Sequence, residues 1–331
     1  MSFRFQRTYK LLIGKKGQDK NAIVIEPPFR LSFDIEKTVE SKPNENTIKV
    51  YNLSENTRKA IEKPDLRCVL YAGYEQENNT TLLAMGNIAT AYSYRDGADW
   101  VTEIYFLDGL IEIRDTVISV GYAAGVSSTL ILNDIAGKMG LSLVAANSLD
   151  ERKWANGFSF YGSARTALNK IVAGTGLEWS VQNGELQVVN KHKTTKRQGV
   201  VIAKDSGLIG YPEKTREAAR SKSADVDDKK QANRKQTSLS SQAQDGWNVK
   251  SLLLPQVNPA DKVKLESISV TGWFRAETVR HSGDTHQGDW VTELHLAERI
   301  IDKQTEKEQS KVAKKHRKKR KAKKEEEKTK P

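Results

Sequence analysis

The hexapeptide Asp99-Trp100-Val101-Thr102-Glu103-Ile104 recurs as Asp289-Trp290-Val291-Thr292-Glu293-Leu294, with five identities in six positions. Each copy follows a polar turn segment carrying Asp and Gly: Asp96-Gly97 in the first, Gly283-Asp284 with Gly288 in the second. Trp100, Thr102, Ile104 and Phe106 alternate along one copy, and Trp290, Thr292, Leu294 and Leu296 along the other. A period of two places each set on one face of a β-strand. Upstream, Ile48-Lys49-Val50-Tyr51-Asn52-Leu53 has a looser counterpart in Val249-Lys250-Ser251-Leu252-Leu253-Leu254, which two unrelated amphipathic strands would also produce. The pair carrying Asp99 to Glu103 and Asp289 to Glu293 is harder to assign to chance, because Trp is rare and both copies close a β region. The reading is two related β domains.

Working outward, residues 3–107 read as short strands rich in aromatic and β-branched residues, among them Tyr9 to Ile13, Phe29 to Ile35 and Val69 to Tyr74. Pro27-Pro28 and Pro43-Asn44 break them, Ser54 caps a short helix, and Asp96-Gly97 marks a hairpin turn. Residues 126–190 change character. Ser127 or Ser128 caps a helix carrying Leu130, Leu132, Ile135, Ala136 and Met139, closed by Gly140. Ser163 starts a second helix with Ala164, Ala167, Leu168, Ile171 and Val172, ending near Gly174, and Asn183-Gly184 turns a hairpin. Residues 213–245 have no aromatic residue and no apolar period, so they read as an extended or disordered loop. Strand signals return from Trp247 to Ile301. The predicted fold class is mainly β with an α+β insertion: two tube-like antiparallel β-barrel domains plus a small α+β module. The expected boundaries are 1–115 for the first β domain, 116–195 for the inserted module, 196–302 for the second β domain and 303–331 for a basic tail.

Composition limits the function classes. The chain has 331 residues, with 54 Lys+Arg against 42 Asp+Glu, a formal charge of +12. Residues 303–331 hold 14 Lys/Arg and 5 Asp/Glu, so residues 1–302 keep 40 against 37 and are close to neutral. A nucleic-acid-binding fold wants its basic residues on one face of the folded part, so nucleic acid is not an expected partner. Cys68 is the single cysteine, which removes disulfide frameworks and cysteine-based zinc sites. The start lacks the apolar stretch of a signal peptide, and no window approaches a membrane span. These features predict a soluble protein without a membrane anchor.

A chain with two copies of one domain can form a threefold ring of six similar units, which lets a trimer match a sixfold partner. The Ile48-Lys-Val-Tyr-Asn-Leu-Ser pattern, the Gly73-Tyr74 strand and Trp154-Ala-Asn-Gly-Phe-Ser-Phe-Tyr-Gly resemble the baseplate hub proteins of contractile-tailed bacteriophages, the T-even hub and Mu-like late tail protein group. So do Gly207-Leu-Ile-Gly-Tyr-Pro and Leu252-Leu-Leu-Pro-Gln-Val-Asn-Pro-Ala-Asp. The resemblance covers about residues 1–302. It implies two tube-like barrels per subunit, a homotrimeric pseudo-sixfold ring, and a place in the virion between the hexameric tail tube and the trimeric central spike, beside other baseplate proteins, after synthesis in the bacterial host cytoplasm. The loop 213–245 and the basic tail depart from it.

No catalytic or cofactor pattern stands out, so no enzyme, metal or cofactor is predicted. The five histidines, His192, His281, His286, His295 and His316, form no ligand-spaced pair with a carboxylate, and His281 and His286 read as solvated residues of a hairpin tip. Gly121-Tyr-Ala-Ala-Gly and Gly137-Lys-Met-Gly lack phosphate-loop order. Trp100 and Trp290 read as equivalent core or barrel-rim anchors, with sugar stacking or an interface as the alternative. The block Lys314, Lys315, Arg317, Lys318, Lys319, Arg320 and Lys321 reads as a partner-binding tail. The alternative functions are a tail-associated cell-wall hydrolase and a basic-tailed nucleic-acid-binding protein.

Overall fold

The structure, a computed structural model, describes residues 6–15, 17, 22–77, 79–145, 152–191, 193–217 and 244–298. The first β region consists of β1 (Arg7–Gly14), β2 (Ile23–Ile25), β3 (Leu31–Thr38), β4 (Glu45–Tyr51), β5 (Arg67–Tyr74), β6 (Asn79–Asp96) and β7 (Asp99–Leu107), with helix α1 (Glu55–Ile61) between β4 and β5. Ser54 caps α1 by accepting from Thr57 N, and Gly97 (φ 60°) makes the two-residue turn between β6 and β7. Apolar residues recur at alternate positions of β1, β3, β4 and β5. They meet in one core containing Leu11, Ile35, Ile48 and Leu70.

Helix α2 (Leu110–Asp115) leads into the α+β module: β8 (Val117–Tyr122), β9 (Val126–Ser127), α3 (Ser128–Lys138), β10 (Ser142–Ala145), β11 (Lys153–Trp154), β12 (Phe158–Ser163), α4 (Ala164–Val172), β13 (Leu177–Gln182) and β14 (Glu185–Asn190). The side chains of Ser127 and Ser163 cap α3 and α4. α3 ends in a Schellman arrangement: Gly140 (φ 70°) donates to Gly137 O at 3.0 Å and Leu141 to Ala136 O at 2.9 Å. Ile135, Leu168 and Ile171 of the helices pack against Trp179 and Leu186 of the β13–β14 hairpin, which turns at Asn183-Gly184 with φ 52° and 74°. Positive φ at both positions is what a type I′ turn needs, and Asn-Gly supplies it at low cost.

The second β region comprises β15 (Val200–Ala203), β16 (Leu208–Glu217), β17 (Gln244–Leu252), β18 (Lys262–Glu266), β19 (Thr271–Asp284) and β20 (Trp290–Ala297), around a core of Val249, Val263, Leu265, Val279 and Leu296. Both β regions share one sheet of 13 strands, continuous because β19 pairs antiparallel with β3. The segment read as a loop is shorter than expected: Glu213–Glu217 pair with Gln244–Asn248, so both ends continue a hairpin, and residues 218–243 lie outside the described residues. Cross-strand pairing supplies the order that the missing apolar period could not signal.

Candidate assembly interface

Five strands of the second β region repeat five of the first. In β4–β7, Lys49 lies opposite Glu103 and Val50 opposite Thr102; in β17–β20, Lys250 lies opposite Glu293 and Ser251 opposite Thr292. The ammonium-to-carboxylate distances are 3.4 Å and 3.3 Å. Asn52 N donates to Trp100 O at 2.7 Å, and Leu253 N to Trp290 O at 3.0 Å. The β6–β7 ladder slips between Ile88 and Thr90 beside Tyr105, and the β19–β20 ladder between Ala276 and Thr278 beside His295. A bulge locally redirects a strand and persists among related domains, so a shared bulge is stronger evidence of duplication than shared alternation. The equivalence runs over the orders β3-β4-β7-β6-β5 and β16-β17-β20-β19-β18.

The joint between the copies is the pairing of β3 with the C-terminal half of β19, from Thr278 opposite Thr38 to Asp284 opposite Ser32. Arg280 donates to both carboxylate oxygens of Asp34, at 2.8 and 2.6 Å. Arg30 grips Asp284 at 3.1 and 2.8 Å. Burial opposes the Asp284 charge, but the hydrogen bond from Arg30 outweighs it and holds the carboxyl below its usual range. Arg7 donates to the carbonyls of Asp284, Gln287 and Gly288, tying β1 to the tip of the second hairpin. Across the joint, Phe33 meets Trp290 edge-on with ring centroids 5.1 Å apart, and Trp290 packs into the core of the first copy. Gly283 lies between them: a Cβ there would come within 2.6 Å of both rings.

The paired tryptophans occupy matching strand positions in unlike surroundings. Trp290 is 3% exposed, whereas Trp100 is 40% exposed and is covered on one side by the Arg58 guanidinium, 3.8 Å from its centroid. Reading the two as equivalent core or barrel-rim anchors therefore needs correction for their surroundings, because among the described residues the aromatic that covers Trp290 has no counterpart beside Trp100. Asp99 accepts from Asn52 Nδ2 at 2.9 Å, and Asp289 pairs with Lys250 at 3.3 Å. Thr102 Oγ1 lies 3.2 Å from Ser93 Oγ, and Thr292 Oγ1 lies 2.9 Å from His281 Nδ1. Glu103 is buried against its charge, yet hydrogen bonds from Tyr105 and Tyr94 and the nearby Lys49 hold it below the usual carboxylate range. The same bond pushes Tyr105 up to about 12.

His281 corrects another expectation. It is fully buried in β19, and burial first, then the nearby Lys37 ammonium, lowers its pKa well below the ordinary value. It lies beyond the hairpin tip by strand register, which composition could not show. His286 is exposed at that tip, His295 lies 2.9 Å from Asn248 Oδ1, and His192 and His316 lie outside the described residues. The block Lys314, Lys315, Arg317, Lys318, Lys319, Arg320 and Lys321 also lies outside them.

A buried polar junction, invisible in the sequence, holds the α+β module against both copies. Lys37 Nζ donates to Asn258 Oδ1 at 2.9 Å, Gln182 Nε2 to Thr38 O at 2.7 Å and Gln187 Nε2 to Pro259 O at 2.8 Å. Asp108 accepts from the backbone of Asn183 and Gly184 at the module's turn, and Arg197 bridges Asp261 and Glu185. Burial lowers Lys37 to about 8 and raises Asp108 to about 6. These groups are bonded across modules rather than gathered in a cleft. An open groove of about 570 Å³ lies on the second copy between Tyr211, Lys250, Arg280 and His295. Among the described residues, no three His, Cys, Asp or Glu side chains stand together as a metal site.

Duplicated antiparallel β regions flanking a small α+β module define the class of fold. Solved structures sharing it include the tail protein from Neisseria meningitidis MC58 (11% identity, TM-score 0.55, covering 88% of this chain and 96% of that one). A 43 kDa tail protein of prophage MuSo2 from Shewanella oneidensis is similar at 11% identity and TM-score 0.55, over 87% of this chain and 96% of its own. A third, from E. coli, is a component of the type VI secretion system with structural similarity to the T4 bacteriophage tail proteins gp27 and gp5; it aligns at 10% identity and TM-score 0.53, over 86% and 76% of the two chains. No protein-family model matches the chain, and no curated protein matches it in sequence. The resemblance to phage baseplate hub proteins thus holds at the level of the fold.

Proposed function

We propose that this protein is a structural component of a phage-type tail, a baseplate hub whose homotrimer forms a pseudo-sixfold ring between a hexameric tail tube and a trimeric central spike. The observation that carries the reading is the duplication: two copies per chain, equivalent in the register of β4–β7 with β17–β20 and in the bulge that β6–β7 shares with β19–β20, give six similar units in a trimer. The fold shared with tail proteins supports the same role. The role needs surfaces rather than convergent titratable groups, so the reading is non-enzymatic, and the charged side chains of the joint act as fasteners. The basic segment after residue 303 then serves another tail component. Symmetry of the assembled particle tests the reading: imaging should show three copies of this chain at the tube–spike boundary, and two or six copies would overturn it. A cell-wall turnover assay tests the hydrolase alternative, for which peptidoglycan cleavage abolished by a single Asp or Glu substitution is the required result.

A further inference from the structure

The two copies differ on the sheet face turned away from their cores. In the first, Tyr92 lies opposite Glu103 and Tyr105 opposite Thr47, and the two rings stand side by side with centroids 6.3 Å apart. The equivalent positions of the second hold Arg280, opposite Glu293, and His295, opposite Asn248. Arg280 is drawn across the joint to Asp34, and the groove of about 570 Å³ lies over these positions. Its wall is also peculiar to the second copy. β3 pairs with β4 without interruption from Leu31 to Ile35. Its equivalent β16 sets three residues, Gly210, Tyr211 and Pro212, against Val249 alone, between the pairs Ile209–Lys250 and Glu213–Asn248. Gly210 takes φ 69°, Pro212 is buried and has no N–H to give a ladder, and Tyr211 is turned out with 76% of its surface exposed. A bulge of this kind gives up ladder hydrogen bonds and re-aims a side chain, as bulges beside functional sites do.

We propose that this groove binds a neutral glycan, with Tyr211 as the stacking platform and the polar sheet face beneath it reading the hydroxyls. Among the lining side chains, Lys250 and Arg280 are matched by Glu213 and Glu293, and both cations are already paired with carboxylates. A phosphate therefore meets no uncompensated positive charge. A metal ion is no better served, since no three His, Cys, Asp or Glu side chains stand together among the described residues. The lining instead offers donors and acceptors in close alternation. The Glu213 carboxylate has no partner among the described residues, Arg280 spends Nε and Nη2 on Asp34 and keeps Nη1, and Asn248 and Thr278 each carry both functions. A sugar matches this set because each hydroxyl both donates and accepts, while the C–H face of the ring is apolar and packs flat on an aromatic ring. The volume of about 570 Å³ falls within the range of about 300–1,000 Å³ spanned by small-molecule sites. The site lies within one chain and does not depend on how many chains assemble.

Titrating the full chain with short neutral oligosaccharides of N-acetylglucosamine, glucose, galactose and mannose, read by saturation-transfer NMR and calorimetry, tests the assignment. At least one should bind with a Kd of about 1 mM or tighter. Tyr211→Ala and Glu213→Ala should each weaken that binding roughly tenfold. Both side chains are exposed, so thermal unfolding of the two variants should match the parent. Tyr161→Ala removes an exposed tyrosine of the α+β module, away from the groove, and should leave the affinity unchanged. Absence of binding by every saccharide at about 10 mM overturns the proposal, as does binding that neither groove variant weakens. Inorganic phosphate or an oligo-alanine peptide that binds the groove more tightly than any of the saccharides overturns the glycan assignment.

Discussion

Truncating the two repeat tryptophans in turn separates matching position from matching environment. Trp290→Ala removes a side chain that is 3% exposed, packed edge-on against Phe33 and seated in the first copy's core. Deleting a buried aromatic costs roughly 3–5 kcal/mol in lost burial and residual cavity. Trp100 is 40% exposed, and its main contact is the stacked Arg58, an exposed cation–π pair worth about 0.5–1 kcal/mol. At concentrations where the chain is monomeric, the unfolding free energy of Trp290→Ala should therefore fall below that of Trp100→Ala by roughly 2–4 kcal/mol. Denaturant unfolding followed by circular dichroism reads the difference. Values within about 1 kcal/mol of each other would refute the argument that Phe33 and the joint, rather than strand position, set the environment of Trp290.

Three further outcomes follow from the same geometry. Gly283→Val forces a side chain between Phe33 and Trp290 and should destabilise by at least the roughly 1–3 kcal/mol of an overpacked core, read by thermal unfolding, whereas Gly97→Ala at the open β6–β7 turn should cost less. His281 is held neutral with its pKa below that of the unfolded chain, so the unfolded state binds the extra proton and stability is lost as pH falls below about 6.5. Between pH 7.5 and 5.5 the loss from this residue should approach 1.4 kcal/mol, and His281→Asn should flatten the profile by that amount; Asp108, raised to about 6 by burial, works in the opposite sense over the lower part of the range in both proteins. Deleting residues 304–331 should leave the unfolding midpoint unchanged and remove a salt-sensitive contact with an acidic partner, measured by pull-down across a salt series; unfolding of the second β region would show that the segment belongs to its core.

Local chemistry made much of this chain legible without coordinates. Ser54, Ser127 and Ser163 act as caps because a hydroxyl before a helix has orphan N–H groups within reach, and Asn183-Gly184 turns a hairpin because those residues tolerate positive φ. The recurring Asp-Trp-Val-Thr-Glu segment exposed the duplication because identical strands in identical frameworks keep their cross-strand partners. Tertiary structure alone decided the rest. The equivalence of Lys49–Glu103 with Lys250–Glu293 is a matter of register between strands far apart in the chain, as are the junction around Lys37, Asp108 and Asn258 and the burial of His281. Sequence states what a residue is and what its immediate neighbours are. Whether Trp100 meets solvent and Trp290 meets Phe33 depends on which strand edge the fold brings alongside each, and a period-two pattern is the same whether an edge is covered or open.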